Sequence, residues 1–116
     1  MKSLINPNQI YLYREPVDFR KSINGLSAIV IEACELDCMT GALFLFCNKG
    51  KDKIKILYWD TTGFALWYKR LEKDQFRWPK MSSDKTLSLS KEHFDQLLDG
   101  YTIEGHQPID CLSFAL

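Results

Sequence analysis

Hydrophobic residues recur at two different spacings in the first third of the chain. Ile10–Arg14 is a run of β-forming residues that predicts a short strand, which Pro16 ends because proline cannot donate to a central ladder. From Phe19 the apolar positions advance in steps of three and four, the spacing of one helix face. With Asp18 as its N-cap, this pattern predicts a helix over Asp18–Leu36.

The middle of the chain predicts a series of strands. Ala42–Cys47 is a continuous apolar run of the length expected for a strand that is covered on both faces. Lys53–Trp59 alternates at its start, with lysines on one face and apolar residues on the other. Phe64–Leu71 predicts the next strand, and Phe76–Trp78 a short one that the following proline stops.

Turn residues between these segments indicate how the strands connect. Asn48–Asp52 contains a glycine and predicts a hairpin loop. Asp60–Gly63 predicts a second turn, in which the aspartate bonds its own backbone and the glycine takes a positive φ. We therefore expect an antiparallel meander sheet with the main helix packed on it.

The C-terminal part of the chain predicts a second helix and a tail. After a polar loop at Lys80–Lys85, Ser90 is the N-cap of a helix with an apolar side formed by Phe94, Leu97 and Leu98. Gly100 suits the position that follows the last helical residue. The apolar end of the tail is expected to add an edge strand or to dock on the sheet.

The composition is that of one α+β domain. The chain has 116 residues, of which 46% are hydrophobic and 26% charged, so it can bury a core. We expect a single domain over 1–116, with its core at about 8–101 and a tail at 102–116. Since there is no apolar run of signal-peptide length and none of the ~18 residues that span a membrane, we expect a cytoplasmic protein with no membrane partner.

The cysteines are expected to be reduced in that compartment. They are Cys34, Cys38, Cys47 and Cys111. With His93 and His106 they could form a zinc set, but the pairs lack zinc-finger spacing and three of the cysteines have apolar neighbours. Buried structural thiols fit the pattern better, and we expect no metal and no cofactor.

Catalytic motifs are absent from the sequence. It contains no G-x-S-x-G, P-loop, dinucleotide fingerprint or H-E-x-x-H pattern. Asp18 and Asp60 are candidate Mg²⁺ ligands, yet a helix cap explains the first and a turn explains the second. We therefore predict no catalytic residue and no enzymatic activity.

Basic and aromatic residues concentrate between Lys49 and Lys80. The whole chain has no net charge, but this segment has nine basic and four acidic residues, a balance of +5, and the rest has a balance of −5. Seven of the fifteen aromatic residues also lie there. Such a mixture can clamp phosphates and stack on bases, although a solvated lysine face over an aromatic core explains it as well.

Two cations fall in the first turn of the predicted main helix. The helix dipole disfavours Arg20 and Lys21 there, and beside free amide donors they could hold a phosphate or a partner's carboxylate. A salt bridge from Arg20 to an acid such as Asp60 or Glu15 would explain the placement equally well.

Four stretches of the chain resemble the signature of one known family. The first is Asp-Phe-Arg-Lys-Ser-Ile-Asn-Gly-Leu, which matches the pattern D-[FM]-R-K-x-[IV]-[DN]-G-L. The matching stretches are residues 18–26, 41–48, 52–79 with short interruptions, and 97–100. In that order, over about residues 8–101, they resemble the second-reading-frame accessory proteins, often called TnpB, of insertion-sequence-66-type transposons.

The resemblance implies a non-catalytic accessory role in transposition, beside a separate transposase that cleaves and joins the DNA. The expected partners are that transposase and other element-encoded proteins, with transposon DNA and a second copy of the chain as further candidates. An assembly factor is the first hypothesis, a stand-alone nucleic-acid-binding module the second, and a metal-dependent nuclease the third. At 116 residues we expect no room for the nuclease domain of the longer RNA-guided enzymes that share the TnpB name.

We expect the cations to form one surface that binds DNA or an acidic partner. Its candidate residues are Arg20, Lys21, Lys53, Lys55, Trp59, Lys69, Arg70 and Arg77. The alternation places Lys53 and Lys55 on one exposed strand face. Replacing both with Gln is then expected to change stability by no more than about 1 kcal/mol, because exposed charges contribute little.

Overall fold

A computed structural model describes residues 9–99, which form a mixed five-stranded sheet covered by helices. The elements are β1 (Ile10–Tyr13), α1 (Ile23–Ala28), a π-helical segment that continues α1 (Ile29–Ala33), β2 (Leu43–Cys47), β3 (Lys53–Asp60), β4 (Gly63–Arg70), β5 (Thr86–Ser88) and α2 (Lys91–Leu98). The predicted α+β class is confirmed. The expectations for Gly100 and for the tail lie outside the described residues.

The sheet is not the predicted antiparallel meander. Its order is β4-β3-β2-β1-β5, and β1 and β2 run parallel, with Ile10 opposite Leu43. The other neighbours pair antiparallel. Parallel neighbours require a crossover, and the helical segment between β1 and β2 lies in that connection.

Each face of the sheet carries its own apolar cluster. We call the first the α1 face, where α1 and its π-helical continuation pack on the sheet; it includes Leu26, Val30, Phe44, Phe46 and Leu57. We call the second the α2 face; it includes Leu45, Ile54, Ile56, Phe94 and Leu97. All five residues of β2 are buried, as its continuous apolar run predicts.

The prediction of a short strand at Phe76–Trp78 is wrong. This segment pairs with no strand, but the Phe76 amide donates to the Lys51 carbonyl at 2.7 Å and the Trp78 indole donates to the Tyr13 carbonyl at 3.1 Å. Both side chains are buried on the α2 face. The missed strand is β5, whose three residues are too few to show a period, and which pairs with β1.

Two details of the turns and caps test the local predictions. In the β3–β4 turn the positive φ, 54°, belongs to Thr61 and not to Gly63, and the backbone carbonyl of Asp60 accepts from the Thr62 amide. In α2 the predicted cap is confirmed, because the Ser90 hydroxyl accepts from the His93 amide at 3.1 Å. Among the described residues, no helix is long and apolar enough to cross a membrane.

Candidate functional site: the loop before the first helix

The segment predicted to begin the main helix is a loop instead. The helix starts at Ile23, and Asp18 does not cap it. The Asp18 carboxylate accepts from the Arg20 amide at 2.9 Å, two residues away, which is an Asx-type arrangement that favours a turn over a helix. Because Arg20 and Lys21 lie outside the helix, the prediction that they oppose its dipole is wrong.

Arg20 projects from this loop into solvent. Its side chain is 92% exposed, and its Nη2 and Nε donate to Asp18 Oδ2 at 2.6 and 3.0 Å. These hydrogen bonds from Arg20 lower the pKa of Asp18 from 3.8 to about 2. The salt bridge from Arg20 to an acid, the alternative to ligand binding, is therefore present, but its partner is Asp18 and neither Asp60 nor Glu15. Glu15 instead accepts from the Tyr13 hydroxyl at 2.6 Å.

A buried lysine ties the loop to the sheet. Lys55 is only 8% exposed, so its predicted place on an exposed face is wrong. Its Nζ donates to the carbonyls of Phe19 and Lys21 at 2.9 and 2.8 Å. Burial lowers the pKa of Lys55. We call this arrangement the Lys55 clamp, since one ammonium group satisfies two main-chain acceptors of the loop.

Aromatic rings complete the Lys55 clamp. The ammonium lies 4.9 Å from the centroid of the Phe19 ring and 5.9 Å from that of Tyr68, which are cation–π distances. Tyr68 stands directly opposite Lys55 in the β3–β4 register, and its ring is 6.1 Å from that of Phe19. The lysine stem can therefore run beneath the loop while its charge meets carbonyls and ring faces.

The strand register divides the predicted binding residues between the two faces. Lys53 lies opposite Arg70 on the α1 face, beside the clamp, whereas Lys69 lies opposite Ile54 on the α2 face. The Lys69 Nζ donates to the carbonyl of Leu98, in the last turn of α2, at 2.8 Å. The sequence thus predicted one surface, but the structure places Lys69 on the other side of the sheet.

The remaining candidates differ in how freely they can meet a ligand. Arg70 is exposed and pairs with Glu72 at 2.9 Å, and the half-buried Lys53 lies 3.8 Å from Asp52. Trp59 is half-buried and meets Phe64 edge to face, with ring centroids 5.1 Å apart.

Arg77 is exposed, and it lies between Phe76 and Trp78, which are buried on the α2 face. Of the predicted binding residues, the structure places the following on the α1 side: Arg20, Lys21, Lys53, Lys55, Trp59 and Arg70.

An open cleft of about 520 Å³ lies beside the loop. Its apolar lining includes Val17, Ile29 and Met81, and its charged lining includes Asp18 and Lys21. A shallow cleft with this mixed lining suits an extended segment of a macromolecule better than an enclosed small molecule.

The described residues contain free thiols and no metal-binding cluster. Within residues 9–99, no three His, Cys, Asp or Glu side chains come together in a way that could hold a metal ion. Cys34, Cys38 and Cys47 are free, and burial raises the pKa of Cys47 to about 12. His106 and Cys111, the other members of the zinc set considered above, lie outside the described residues.

Comparisons with known proteins cover the loop, the clamp and the whole described fold. The family model described as "IS66 Orf2 like protein" matches residues 8–108. The uncharacterized protein y4jC of Sinorhizobium fredii (strain NBRC 101917 / NGR234) is 37% identical over 100 residues, which are 84% of this chain and 85% of that protein. The uncharacterized protein y4hO of the same strain is 26% identical over 92 residues, 79% of each chain. No solved structure matches the chain. The match of the family model over this length confirms the resemblance read from the sequence, and the chain belongs to the IS66 Orf2 like family.

Proposed function

We propose that this protein is a non-catalytic accessory component of DNA transposition, and that it helps to assemble a separate transposase with element DNA through the loop Asp18–Lys21. Membership of the IS66 Orf2 like family supports the link to an insertion sequence. The observation that carries the proposed site is the Lys55 clamp, in which a buried charge holds a loop that keeps Arg20 92% exposed.

The geometry of the loop suits the binding of an anionic group. Asp18 holds one edge of the Arg20 guanidinium, and the exposed side chain leaves its other donors open to a phosphate or a carboxylate. Because the clamp and the Asp18 turn order the loop in advance, less conformational entropy is lost on binding. Lys53 and Arg70 lie opposite each other on the same face and add two further cations, each of which already has a carboxylate beside it.

Removing the two cations of the loop tests this site. The variant Arg20→Gln with Lys21→Gln is expected to lower the transposition frequency of a marked element roughly tenfold or more, since a hydrogen bond to a charged group contributes about 1.5–3 kcal/mol. The matched control is Lys85→Gln with Lys91→Gln, which removes the same charge at exposed positions next to β5 and in α2. The free energy of unfolding of each variant is expected to lie within about 0.5 kcal/mol of that of the parent protein. An equal fall in both variants would contradict the proposed site.

Purified components separate assembly from simple DNA binding. The proposal predicts that the chain co-purifies with the transposase and element-end DNA together, and that the loop variant loses this association. A stand-alone nucleic-acid-binding module would instead shift DNA by itself, and the loop variant would reduce the salt dependence of that shift by about two charges. Mg²⁺-dependent cleavage of element-end DNA by the purified chain would contradict a non-catalytic role.

Asp60 supplies a further control for catalysis. It is exposed at the end of β3, and its carbonyl accepts the hydrogen bond of the β3–β4 turn. Asp60→Asn keeps that carbonyl, so it is expected to leave transposition largely intact. Loss of transposition at unchanged thermal stability would instead indicate a functional carboxylate.

A further inference from the structure

The two edges of the sheet differ in length and protection. β5 closes one edge with three residues, whereas β4 forms the other edge with eight. Within residues 9–99, no strand pairs with the outer side of β4. The first six residues of β4, Gly63 to Tyr68, contain neither a charge nor a proline, the features with which proteins usually protect an open edge.

The hydrogen-bond pattern between β3 and β4 shows which residues of β4 direct their N–H and C=O groups towards the open side. The Leu71 amide donates to the Asp52 carbonyl at 2.7 Å, and the register continues from this pair along β3 and β4. Since hydrogen-bonded and non-hydrogen-bonded pairs alternate in an antiparallel ladder, every second residue of β4 directs its peptide groups away from β3. These residues are Phe64, Leu66, Tyr68 and Arg70.

We propose that two copies of this chain pair antiparallel through β4, with Trp67 of each copy facing Trp67 of the other across a twofold axis. Hydrogen bonds between the copies form only where a residue with outward peptide groups faces another such residue. The twofold axis must therefore pass through a residue position of β4 and not between two positions. Centring on Trp67 pairs all seven residues from Phe64 to Arg70 and joins the five strands described in residues 9–99 of each copy into one continuous sheet.

The side chains of β4 complement themselves in this register. Arg70 lies opposite the Phe64 ring of the second copy, which allows a cation–π contact, and Lys69 lies opposite the small Ala65. Leu66 lies opposite Tyr68, a residue that is 49% exposed in the single chain, so the pairing would cover apolar surface.

Charge also selects the direction of pairing. β4 is uncharged over its first six residues and ends in Lys69 and Arg70. A parallel in-register pair would place these cations of the two copies beside each other, and like charges directly opposite are destabilising. The antiparallel pair places them at opposite ends of the interface, as expected for a self-complementary twofold contact.

Substitutions at Ala65 test both the pairing and its register. The parent chain is expected to be a dimer by sedimentation equilibrium. Ala65→Lys faces Lys69 of the second copy and is expected to weaken the dimer about tenfold, because each change acts twice in a symmetric interface. Ala65→Glu places the opposite charge at the same position and is expected to tighten the dimer by a similar factor. Thermal unfolding of both variants shows whether either fails to fold.

Cysteine cross-linking tests the register directly. In a Cys111→Ser background, Trp67→Cys places two thiols opposite each other at a Cα separation of about 4.5 Å, within the range of a disulfide. The control Ala65→Cys places them about 13 Å or more apart. Oxidised glutathione is expected to give a covalent dimer with Trp67→Cys alone.

A parent chain that stays monomeric at every concentration would overturn the proposal, even if β4 were found to pair with a strand of another protein. A dimer with the same affinity in both Ala65 variants would overturn it as well. Neither result depends on the loop Asp18–Lys21, so the proposed function is tested separately.

Discussion

The two faces of the sheet are each closed by a lysine of the β3–β4 hairpin that donates to main-chain carbonyls of the covering segment. On the α1 face, Lys55 donates to Phe19 and Lys21, which belong to an irregular loop. On the α2 face, Lys69 donates to Leu98, which belongs to a helix. The chemical group is the same, but the segments that the two lysines hold differ in how much they can support themselves.

The helix has supports of its own. Its ladder of backbone hydrogen bonds and the Ser90 cap remain when Lys69 is removed, and the lysine adds an interaction with the C-terminal end of the helix dipole. The local hydrogen bonds of the loop are the ones that Asp18 accepts. Its backbone carbonyl accepts from the Lys21 amide, and its carboxylate accepts from the Arg20 amide. A lysine therefore contributes most to stability where the carbonyls that it binds have no hydrogen-bond partner in regular secondary structure.

The largest expected effect is at the clamp. Lys55→Met keeps the apolar stem but removes the donor of two carbonyls, and it is expected to lower the free energy of unfolding by about 2–3 kcal/mol. Lys53→Met is the matched control two residues away on the same face, where the lysine lies 3.8 Å from the half-buried carboxylate of Asp52, and it is expected to change stability by less than about 0.5 kcal/mol.

Urea unfolding of the two variants measures this difference. The expectation from the sequence, a change of no more than about 1 kcal/mol when both lysines are replaced, assumed that both are exposed, and the burial of Lys55 contradicts that assumption. Equal values for the two variants would show that the clamp does not stabilise the fold.

A smaller effect is expected at the helix. Lys69→Met removes a charge-assisted hydrogen bond at the end of α2 and is expected to lower stability by about 0.5–1 kcal/mol. Ser90→Ala, at the other end of the same helix, is expected to lower it by about 1 kcal/mol. If Lys69→Met destabilised the protein as much as Lys55→Met, the contrast between helix and loop would be lost.

The smallest expected effect is electrostatic and lies on the loop. In the folded protein the pKa of Asp18 is lowered from 3.8 to about 2, so its contribution to stability is complete above about pH 4 and is lost as the pH falls towards 2. Arg20→Gln is expected to raise that pKa towards 3.8. A carboxyl titration by NMR measures the change, and an unaltered pKa would mean that Arg20 is not the partner of Asp18 in solution.

Local sequence patterns were sufficient for β1 to β4 and the second helix, but not for β5. The apolar run of β2, the strand at β3 and the cap at Ser90 each depend on a few residues, and each prediction is confirmed. The exposed lysine face that the alternation of β3 also predicted is wrong at Lys55. The start of α1 was missed because two local interactions of Asp18 compete. Its carboxylate could cap a helix or bond the Arg20 amide, and only the folded backbone shows the second.

The candidate site could be predicted only in part. Arg20 and Lys21 were singled out by their place at the start of the predicted helix, although the structure puts them in a loop before it. The alternation placed Lys55 on the correct face of its strand. The burial of Lys55 depends on carbonyls 34 and 36 residues away, which no local pattern reveals. A lysine between two apolar strand residues, in a chain rich in aromatic residues, was the available signal that its charge has a partner within the fold.

The sequence by itself determined the α+β class, the strands of the central hairpins and the family, because these depend on side-chain period, turn residues and a colinear motif. Only the tertiary structure decided which covering segment meets each lysine, that β1 and β2 run parallel, and that β4 lies at an edge of the sheet formed by residues 9–99. The physical reason is that periodicity specifies which face of a strand is apolar, whereas the order of strands and the partners of buried charges follow from long-range packing.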